Sequence, residues 1–94
     1  MRAFVYMFAT KQNGRLYVGV TADLSERVGQ HKAGLIEGVP KNAGTHQLVY
    51  FEEFDNMIDA FSKEKRIKKW HKRWKYELIE LLNPEWKDLS QNLH

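Results

Sequence analysis

The sequence predicts a small domain of the α/β (α+β) class, with three strands and about three helices. Two runs near the amino terminus alternate with the period of a strand and are separated by an Asn-Gly pair. A third apolar run follows at residues 47–54, and three other segments repeat apolar side chains at helical spacing. The chain has 94 residues, 43% of them hydrophobic, and is expected to form one domain over residues 1–94.

The first two runs, residues 4–8 and 16–20, predict a β-hairpin. Asn13 and Gly14 between them are the strongest short-range signal of a tight turn. With these two residues at the centre of the turn, Tyr6 would face Thr21.

Each strand of this hairpin presents two different faces, because strand side chains alternate. One face carries Phe4, Tyr6, Phe8, Tyr17, Gly19 and Thr21, and we call it the phenol face. The other carries Val5, Met7, Leu16, Val18 and Val20, and we call it the aliphatic face. A register that slips by an even number of residues keeps this partition. The aliphatic face requires a core, whereas a glycine on the phenol face lets a backbone or a ligand approach closely.

Composition excludes several classes of protein. The chain has no cysteine, which excludes a disulfide framework and any thiolate metal site. No apolar run approaches the roughly 20 residues that span a bilayer, and the amino terminus has a strand pattern rather than that of a signal peptide. We therefore expect a cytoplasmic protein without membrane contact.

A first helix is predicted to begin after Asp23, with Glu26 as its capping partner, and to end before Gly34. Its inward face is formed by residues at positions i, i+3, i+4 and i+7, which are Leu24, Arg27, Val28 and His31. Arg27 and His31 can both contact an anion. The alternative is that they lie at the edge of the stripe and extend into water.

Residues 34–46 contain three glycines and a proline and have no periodic pattern, which predicts a long loop. Its Lys41, Asn42 and His46 are weak candidates for phosphate contacts. The third strand, at residues 47–54, has a central apolar run that predicts an interior position in the sheet.

A second helix is predicted from Asn56, and it places Glu64 in the middle of an apolar stripe. A buried carboxylate must be paired, bind a metal or open onto a cleft. Because Lys63 and Lys65 point elsewhere, the partner is expected from another element, such as Arg27.

A third helix is predicted after a bend near residues 70–73, and it should end before Pro84. Trp86 and Leu89 are expected to pack back on the core. Trp70 and Trp74 could stack on bases, but core positions are favoured for both.

Basic side chains are concentrated at residues 63–75, which hold eight of the fifteen Lys and Arg residues and one of the twelve acids. The rest of the chain is net acidic, and such a basic stripe is typical of a protein that binds polyanions. A solvated helix face is the alternative. The candidate nucleic-acid contacts are Lys63, Lys68, Lys69, Lys72, Arg73 and Lys75.

The candidate site residues suit phosphodiester hydrolysis better than acyl transfer, since no familiar nucleophile motif is present. A carboxylate can hold one divalent cation, and an arginine can bind the non-bridging phosphate oxygens. A phenol can orient the attacking water, or deprotonate it if the phenol pKa is lowered.

The order of these motifs resembles that of the GIY-YIG nuclease superfamily. Val5-Tyr6-Met7 and Tyr17-Val18-Gly19 resemble its two-part signature, and residues 21–31 resemble the "T-x-D-L-x-x-R-x-x-x-H" run of its small stand-alone members. Residues 49–52 resemble their third strand, residues 60–70 their "A-x-x-x-E-K-x-I-K-K-W" helix, and residues 83–86 their tail.

This resemblance implies a three-stranded mixed sheet and metal-dependent endonucleolytic cleavage of DNA, with Mg²⁺ or Mn²⁺ as the cofactor. Tyr6 and Tyr17 would be the active-site phenols, Arg27 the phosphate-binding cation and Glu64 the metal ligand. By the same resemblance, His31 would be an auxiliary site residue. Gly19 would support the floor of the site.

The chain departs from the family pattern at three points. The first motif is Val-Tyr-Met, Val20 stands where some repair-type relatives have a lysine, and Tyr76 lies near the position of their asparagine. An accessory part of the relatives' site is therefore missing.

Three functions stay open at this point. The first is an endonuclease acting on branched, damaged or otherwise structured DNA. The second is a non-catalytic nucleic-acid-binding module of the same fold, and the third is a protein-interaction domain. RNA is an alternative substrate, and a homodimer or a partner protein could add the surface that a chain of this size lacks.

Overall fold

A computed structural model of the protein describes residues 2–34 and 47–93. The elements in chain order are β1 (Ala3–Ala9), β2 (Leu16–Thr21), α1 (Leu24–Lys32), β3 (Gln47–Phe54), α2 (Met57–Lys68), α3 (Lys72–Leu82) and a 3₁₀ helix (Leu89–Asn92). This order confirms the predicted α+β class, its amino-terminal hairpin and its three helices. The predicted loop lies outside the described residues from position 35 onwards, and so do Lys41, Asn42 and His46. None of the helices described is long and apolar enough to cross a membrane.

The three strands form one sheet in the order β2-β1-β3, and both pairings are antiparallel. The sheet is thus antiparallel where the resemblance implied a mixed one, and β3 lies at an edge rather than in the interior. The apolar run of β3 is explained by cover on both sides of the sheet. A β-bulge opposite Met7 and Phe8 turns Val49 and Tyr50 to the aliphatic side, while Leu48 packs on the phenol side.

The hairpin register differs by two residues from the predicted one, with Tyr6 opposite Gly19 and Phe8 opposite Tyr17. The cause is a longer loop. Thr10 N donates to Arg15 O at 3.1 Å, and Asn13 adopts a φ of 58° within the loop. Since the slip is even, the predicted phenol and aliphatic faces are both retained.

Each face of the sheet has its own buried cluster. The aliphatic face packs against α2 and α3, and its buried members are Ala3, Val5, Met7, Ala9, Val49, Tyr50, Ala60, Ile67, Ile79 and Trp86. The phenol face is covered by α1, and its buried members are Tyr6, Phe8, Leu24, Val28 and Leu48. Trp86 is buried and Leu89 packs on the phenol-face cluster, as predicted. Trp70 is half-buried, but Trp74 is 54% exposed, because it lies on a different side of α3 from Ile79.

The helix ends confirm the predicted caps. Asp23 Oδ1 accepts from Glu26 N at 3.1 Å, and Asn56 Oδ1 accepts from Asp59 N at 2.9 Å. The second half of the predicted capping box is replaced, since Asp23 N donates to Thr21 Oγ1 at 3.1 Å. Gly34 follows α1 with a φ of 74°, a conformation that favours glycine.

The Asp88 carboxylate ties three distant parts of the chain together. It pairs with Lys32 Nζ at the end of α1 (2.9 Å), and it accepts from Leu48 N in β3 (3.2 Å) and Ser90 N (3.0 Å). Burial alone would raise the pKa of Asp88, but the hydrogen bonds from Ser90, Lys32 and the two backbone amides outweigh it and lower the pKa. The carboxylate is therefore held ionised as a permanent clamp.

Candidate active site

Tyr6 lies at the centre of the candidate site. It belongs to the central strand β1, and only 6% of its surface is exposed. Its phenol ring lies across Gly19 of the edge strand β2, where an added Cβ would overlap the Tyr6 hydroxyl and the ring carbon that bears it. A glycine at position 19 is thus required for this placement of the phenol.

Arg27 reaches the Tyr6 phenol from α1. The helix packs Leu24 and Val28 on the phenol face, which directs the half-buried Arg27 side chain towards the sheet. The charge of the Arg27 side chain acts on the Tyr6 hydroxyl from this position, and this effect, taken alone, lowers the pKa of the phenol. Arg27 therefore lies on the phenol side of the sheet.

Glu64 approaches the same phenol from α2. The helix packs Ala60 and Ile67 against the aliphatic face, yet the Glu64 charge still acts on the Tyr6 hydroxyl. Arg27 thus comes from the helix that covers the phenol face, whereas Glu64 comes from the helix on the aliphatic side. The three groups meet along the β2 edge of the sheet.

The partner of the Glu64 carboxylate is Lys68, at a distance of 3.3 Å and one turn later in the same helix. The prediction of a partner from another element was therefore wrong. The pairing follows the i, i+4 spacing of oppositely charged residues on a helix. Glu64 is buried, but the Lys68 side chain is half exposed, so the pair opens to solvent at the Lys68 end.

The pKa of the Tyr6 phenol is raised above its ordinary value of 10.0. Burial is the largest cause, and the Glu64 charge adds to it, while the charge and hydrogen bond of Arg27 act in the opposite direction. Tyr6 is therefore a neutral phenol at physiological pH. It can donate or accept a hydrogen bond, but it is a poor base.

Tyr17 and His31 lie next to this group on the phenol face. The buried His31 ring stacks on Phe8 with centroids 3.7 Å apart and parallel planes. Tyr17 meets the same imidazole edge-on at 6.1 Å, and its hydroxyl oxygen is buried. Phe8 also meets the Tyr6 ring edge-on at 5.4 Å, so it links the pair of Tyr17 and His31 to Tyr6, on which Arg27 and Glu64 act.

A metal site built from protein ligands alone is absent from residues 2–34 and 47–93, where no three His, Asp or Glu side chains cluster. Glu64 is the carboxylate whose charge acts on the site. Mg²⁺ is commonly held by one or two carboxylates together with substrate phosphates and water. Glu64 is one such carboxylate, and a metal ion can displace the Lys68 ammonium that balances its charge. The site therefore fits an ion that the substrate helps to bind.

The candidate nucleic-acid contacts lie along the second half of α2 and the first half of α3. Half of them form ion pairs within the chain: Lys63 with Glu52 (3.7 Å), Lys68 with Glu64 (3.3 Å) and Arg73 with Glu77 (3.8 Å). Lys69 and Lys72 are exposed, and Lys75 is half-buried. The pair of Arg73 with Glu77 is exposed on both sides, and such exposed pairs are weak and can exchange their carboxylate for a phosphate.

Sequence reasoning missed Tyr76 as a support of the site. Its hydroxyl donates to the carbonyls of Asn13 (2.7 Å) and Gly14 (2.9 Å), which fastens α3 to the loop between β1 and β2. No local pattern could have indicated this contact, because the partners are distant in the chain. The Lys68 pairing could have been found, since its spacing from Glu64 is visible in the sequence.

A buried phenol between an arginine and a carboxylate defines a small α+β protein whose candidate site lies beside Gly19 of the edge strand β2. The family model of the GIY-YIG catalytic domain matches residues 2–77. The chain therefore belongs to the GIY-YIG family, which confirms the resemblance noted in the sequence.

The relatives of this chain are small proteins of similar length. A UPF0213 protein of Clostridium perfringens is 37% identical over 76 residues, which is 81% of each chain. Another, from Haloquadratum walsbyi, is 42% identical over 67 residues, or 69% of this chain and 73% of the relative. The solution NMR structure of a UPF0213 protein from Bacillus halodurans shares the fold, with a TM-score of 0.60 at 24% identity, and covers 97% of this chain and 96% of that one.

Proposed function

We propose that this protein is a divalent-metal-dependent endonuclease that hydrolyses phosphodiester bonds in DNA, including branched or damaged DNA. The observation that carries the proposal is that the charges of Arg27 and of the buried Glu64 both act on the buried, neutral phenol of Tyr6. Family membership supports it, because the matched domain is a catalytic one. The same chemistry would act on RNA, which is the alternative substrate.

In this proposal Arg27 binds the scissile phosphate. Its guanidinium can hold two non-bridging oxygens at once and stabilise the charge added in the transition state. Tyr6 orients the attacking water through its hydroxyl, since its raised pKa makes it unsuited to remove a proton. Glu64 would hold Mg²⁺ or Mn²⁺, which when bound supplies Lewis acidity at the phosphate.

Tyr17 and His31 complete the proposed site from the phenol face. The His31 ring is held by its stacking on Phe8, and its edge contact with Tyr17 couples the position of the Tyr17 ring to that of His31. In this arrangement Tyr17 is the second phenol that orients substrate or water, and His31 is an auxiliary residue. Gly19 keeps the space that the Tyr6 ring occupies.

The basic side chains of α2 and α3 would bind the nucleic-acid backbone. Lys63, Lys68, Lys69, Lys72, Arg73 and Lys75 are the proposed contacts. Backbone contacts of this kind position the substrate without reading its sequence, and they weaken steeply as salt increases.

The proposal is tested by cleavage assays with Glu64→Gln and Arg27→Lys on a panel of duplex, branched and single-stranded DNA and matched RNA. We expect each variant to lose cleavage by about 100-fold or more, the usual cost of one transition-state contact. Matched controls are Glu85→Gln and Arg2→Lys, which alter exposed ion-paired residues outside the site and should leave cleavage unchanged. Unchanged cleavage in Glu64→Gln would contradict the metal assignment.

A non-catalytic nucleic-acid-binding module is the second candidate, and the Lys68 pairing favours it, because Glu64 already has a counter-ion. The two functions differ in their response to metal. A nuclease should bind Mg²⁺ more tightly in Lys68→Met than in wild type, measured calorimetrically without nucleic acid. A binding module should bind DNA equally well with and without Mg²⁺ and cleave no member of the panel.

A further inference from the structure

Helix α3 has a second apolar face that points away from the core. Trp74, Leu78 and Leu81 follow one another at i, i+4 and i+7, so they share one side of the helix. Leu81 is 77% exposed and Trp74 is 54% exposed. Together with Trp70 and Glu77, the three line a surface groove of about 440 Å³. Ile79 and Tyr76 of the same helix contact the core, and Leu78 packs against it in part, so Trp74 and Leu81 are the exposed members of this face.

The charged residues of α3 beside this groove are basic at the start of the helix and acidic towards its end, an order that an isolated helix does not favour. Basic residues fill the first turn of α3 and no basic residue lies in its last turn, the reverse of what the helix dipole prefers. Along one flank of the groove, Arg73 lies near the start of the helix, and Glu77 and Glu80 follow one and two turns later. The flank is therefore positive at one end and negative at the other.

This order is self-complementary under a two-fold rotation. An antiparallel copy of α3 would bring its own Glu80 opposite Arg73, and the same contact would repeat on the other half of the interface. The apolar side chains would meet in the middle, where aromatic residues commonly anchor protein interfaces. Trp70 and Trp74 offer surfaces on which bases can stack, but a nucleic acid fits the groove less well, because the Glu77 carboxylate also lines it and would repel phosphates.

We propose that α3 is a homodimer interface, in which the face formed by Trp74, Leu78 and Leu81 packs antiparallel against the same face of a second copy. The proposal does not depend on the proposed nuclease activity, although a dimer contact at Arg73 would compete with the backbone contact proposed for the same side chain. One 11-residue helix offers less area than the roughly 800 Å² per partner of a standard interface. We therefore expect weak association, with a Kd of about 10–100 µM.

Sedimentation velocity of the full chain from about 5 to about 500 µM, without nucleic acid, tests the proposal. We expect the wild type to shift from monomer to dimer across this range. Leu81→Lys and Trp74→Ala should stay monomeric at every concentration. Ile58→Lys is the matched control, because Ile58 is also 77% exposed but lies on α2, and it should dimerise like the wild type. Circular dichroism verifies that each variant is folded.

Charge reversal tests the antiparallel arrangement. Arg73→Glu and Glu80→Lys should each weaken self-association at least threefold, because each creates two like-charge contacts across the two-fold axis. An equimolar mixture of the two variants should recover dimers, since every contact in the mixed pair again joins opposite charges.

Three results would overturn the proposal. One is a wild type that stays monomeric at the highest concentration, and a second is a Leu81→Lys variant that dimerises as well as Ile58→Lys. The third is a monomeric wild type whose tryptophan fluorescence is quenched by single-stranded DNA, with this quenching lost in Trp74→Ala. That result would assign the groove to nucleic acid. Failure of the mixed pair to recover dimers would refute the antiparallel pairing.

Discussion

The two faces of the sheet differ in what they bury. On the aliphatic side, Val5, Met7, Ile67 and Ile79 are completely buried among other apolar side chains. On the phenol side, the buried set includes a phenol hydroxyl and an imidazole as well as aliphatic groups. The aliphatic side also buries the phenol of Tyr50, whose hydroxyl donates to Glu52 at 2.7 Å, but most of its buried side chains are apolar. The phenol side holds more of its polar groups in fixed positions, at a cost in stability. Substitutions on the two faces should therefore affect different measurements.

Ile67→Ala should have the largest effect, and it should act on stability alone. The side chain is fully buried in the aliphatic cluster, so its truncation leaves a cavity that costs about 2–5 kcal/mol of unfolding free energy. Urea denaturation measures this loss. The cleavage rate per folded molecule should be unchanged, and a comparable drop in that rate would show that the two faces are not independent.

Gly19→Ala should affect both measurements, because the new Cβ overlaps the Tyr6 hydroxyl. We expect a loss of about 1–3 kcal/mol of stability from overpacking, together with a loss of cleavage as the phenol is displaced from Arg27. Gly29→Ala is the matched control, since nothing lies within 4 Å of its Cβ position. That variant should gain about 0.5–1 kcal/mol from helix propensity. Equal behaviour of the two variants would contradict the close contact at Gly19.

Alkaline pH should destabilise the fold through one phenol on each side of the sheet. Burial raises the pKa of Tyr6, and burial with the hydrogen bond to Glu52 raises that of Tyr50. The unfolded chain loses these protons first, near pH 10, so stability is fully present below that pH and falls as pH rises above it. The decline should be no steeper than about 1.4 kcal/mol per pH unit for each phenol.

Denaturation curves between pH 8 and pH 11 measure this alkaline decline. Tyr6→Phe and Tyr50→Phe should each make the decline shallower. A double variant with the slope of the wild type would show that other groups are responsible.

Tyr76→Phe should have the smallest effect. It removes the hydroxyl that holds the carbonyls of Asn13 and Gly14, both of which can be solvated instead, so we expect a loss of about 1 kcal/mol. Amide hydrogen exchange in the loop between β1 and β2 should increase, while exchange at Val5 and Met7 should change little. Uniform acceleration across β1 would indicate a global rather than a local role.

The hairpin shows how far a sequence can be interpreted without a structure. Period-two alternation predicts which side chains share a face, and both faces were correct because the pattern is a local property of the strands. The register depends on the loop, where the hydrogen bond from Thr10 N to Arg15 O closes the strands earlier than an Asn-Gly turn would. The edge position of β3 was missed because its bulge and its cover on both sides mimic the apolar run of an interior strand.

The sequence offered candidate residues for the site but not the way in which the fold arranges them. Residue types indicated an arginine, two phenols and a carboxylate, whereas the approach of Arg27 and Glu64 to Tyr6 from opposite sides of the sheet depends on how the helices pack. Helix packing is a property of distant contacts that no local spacing contains. The exposed side of α3 was missed for the same reason, since an apolar stripe alone does not reveal whether a neighbour covers it.

The clamp at Asp88 has a consequence for protein engineering. One carboxylate holds Lys32 in α1 and Leu48 in β3, so two points of the chain, one on each side of residues 35–46, are fixed by a residue outside that segment. A peptide of a different length could be grafted between positions 34 and 47 at an entropic cost that grows only slowly with its length. The protein is thus a candidate scaffold for displaying a variable segment, anchored by a residue that the graft leaves unaltered.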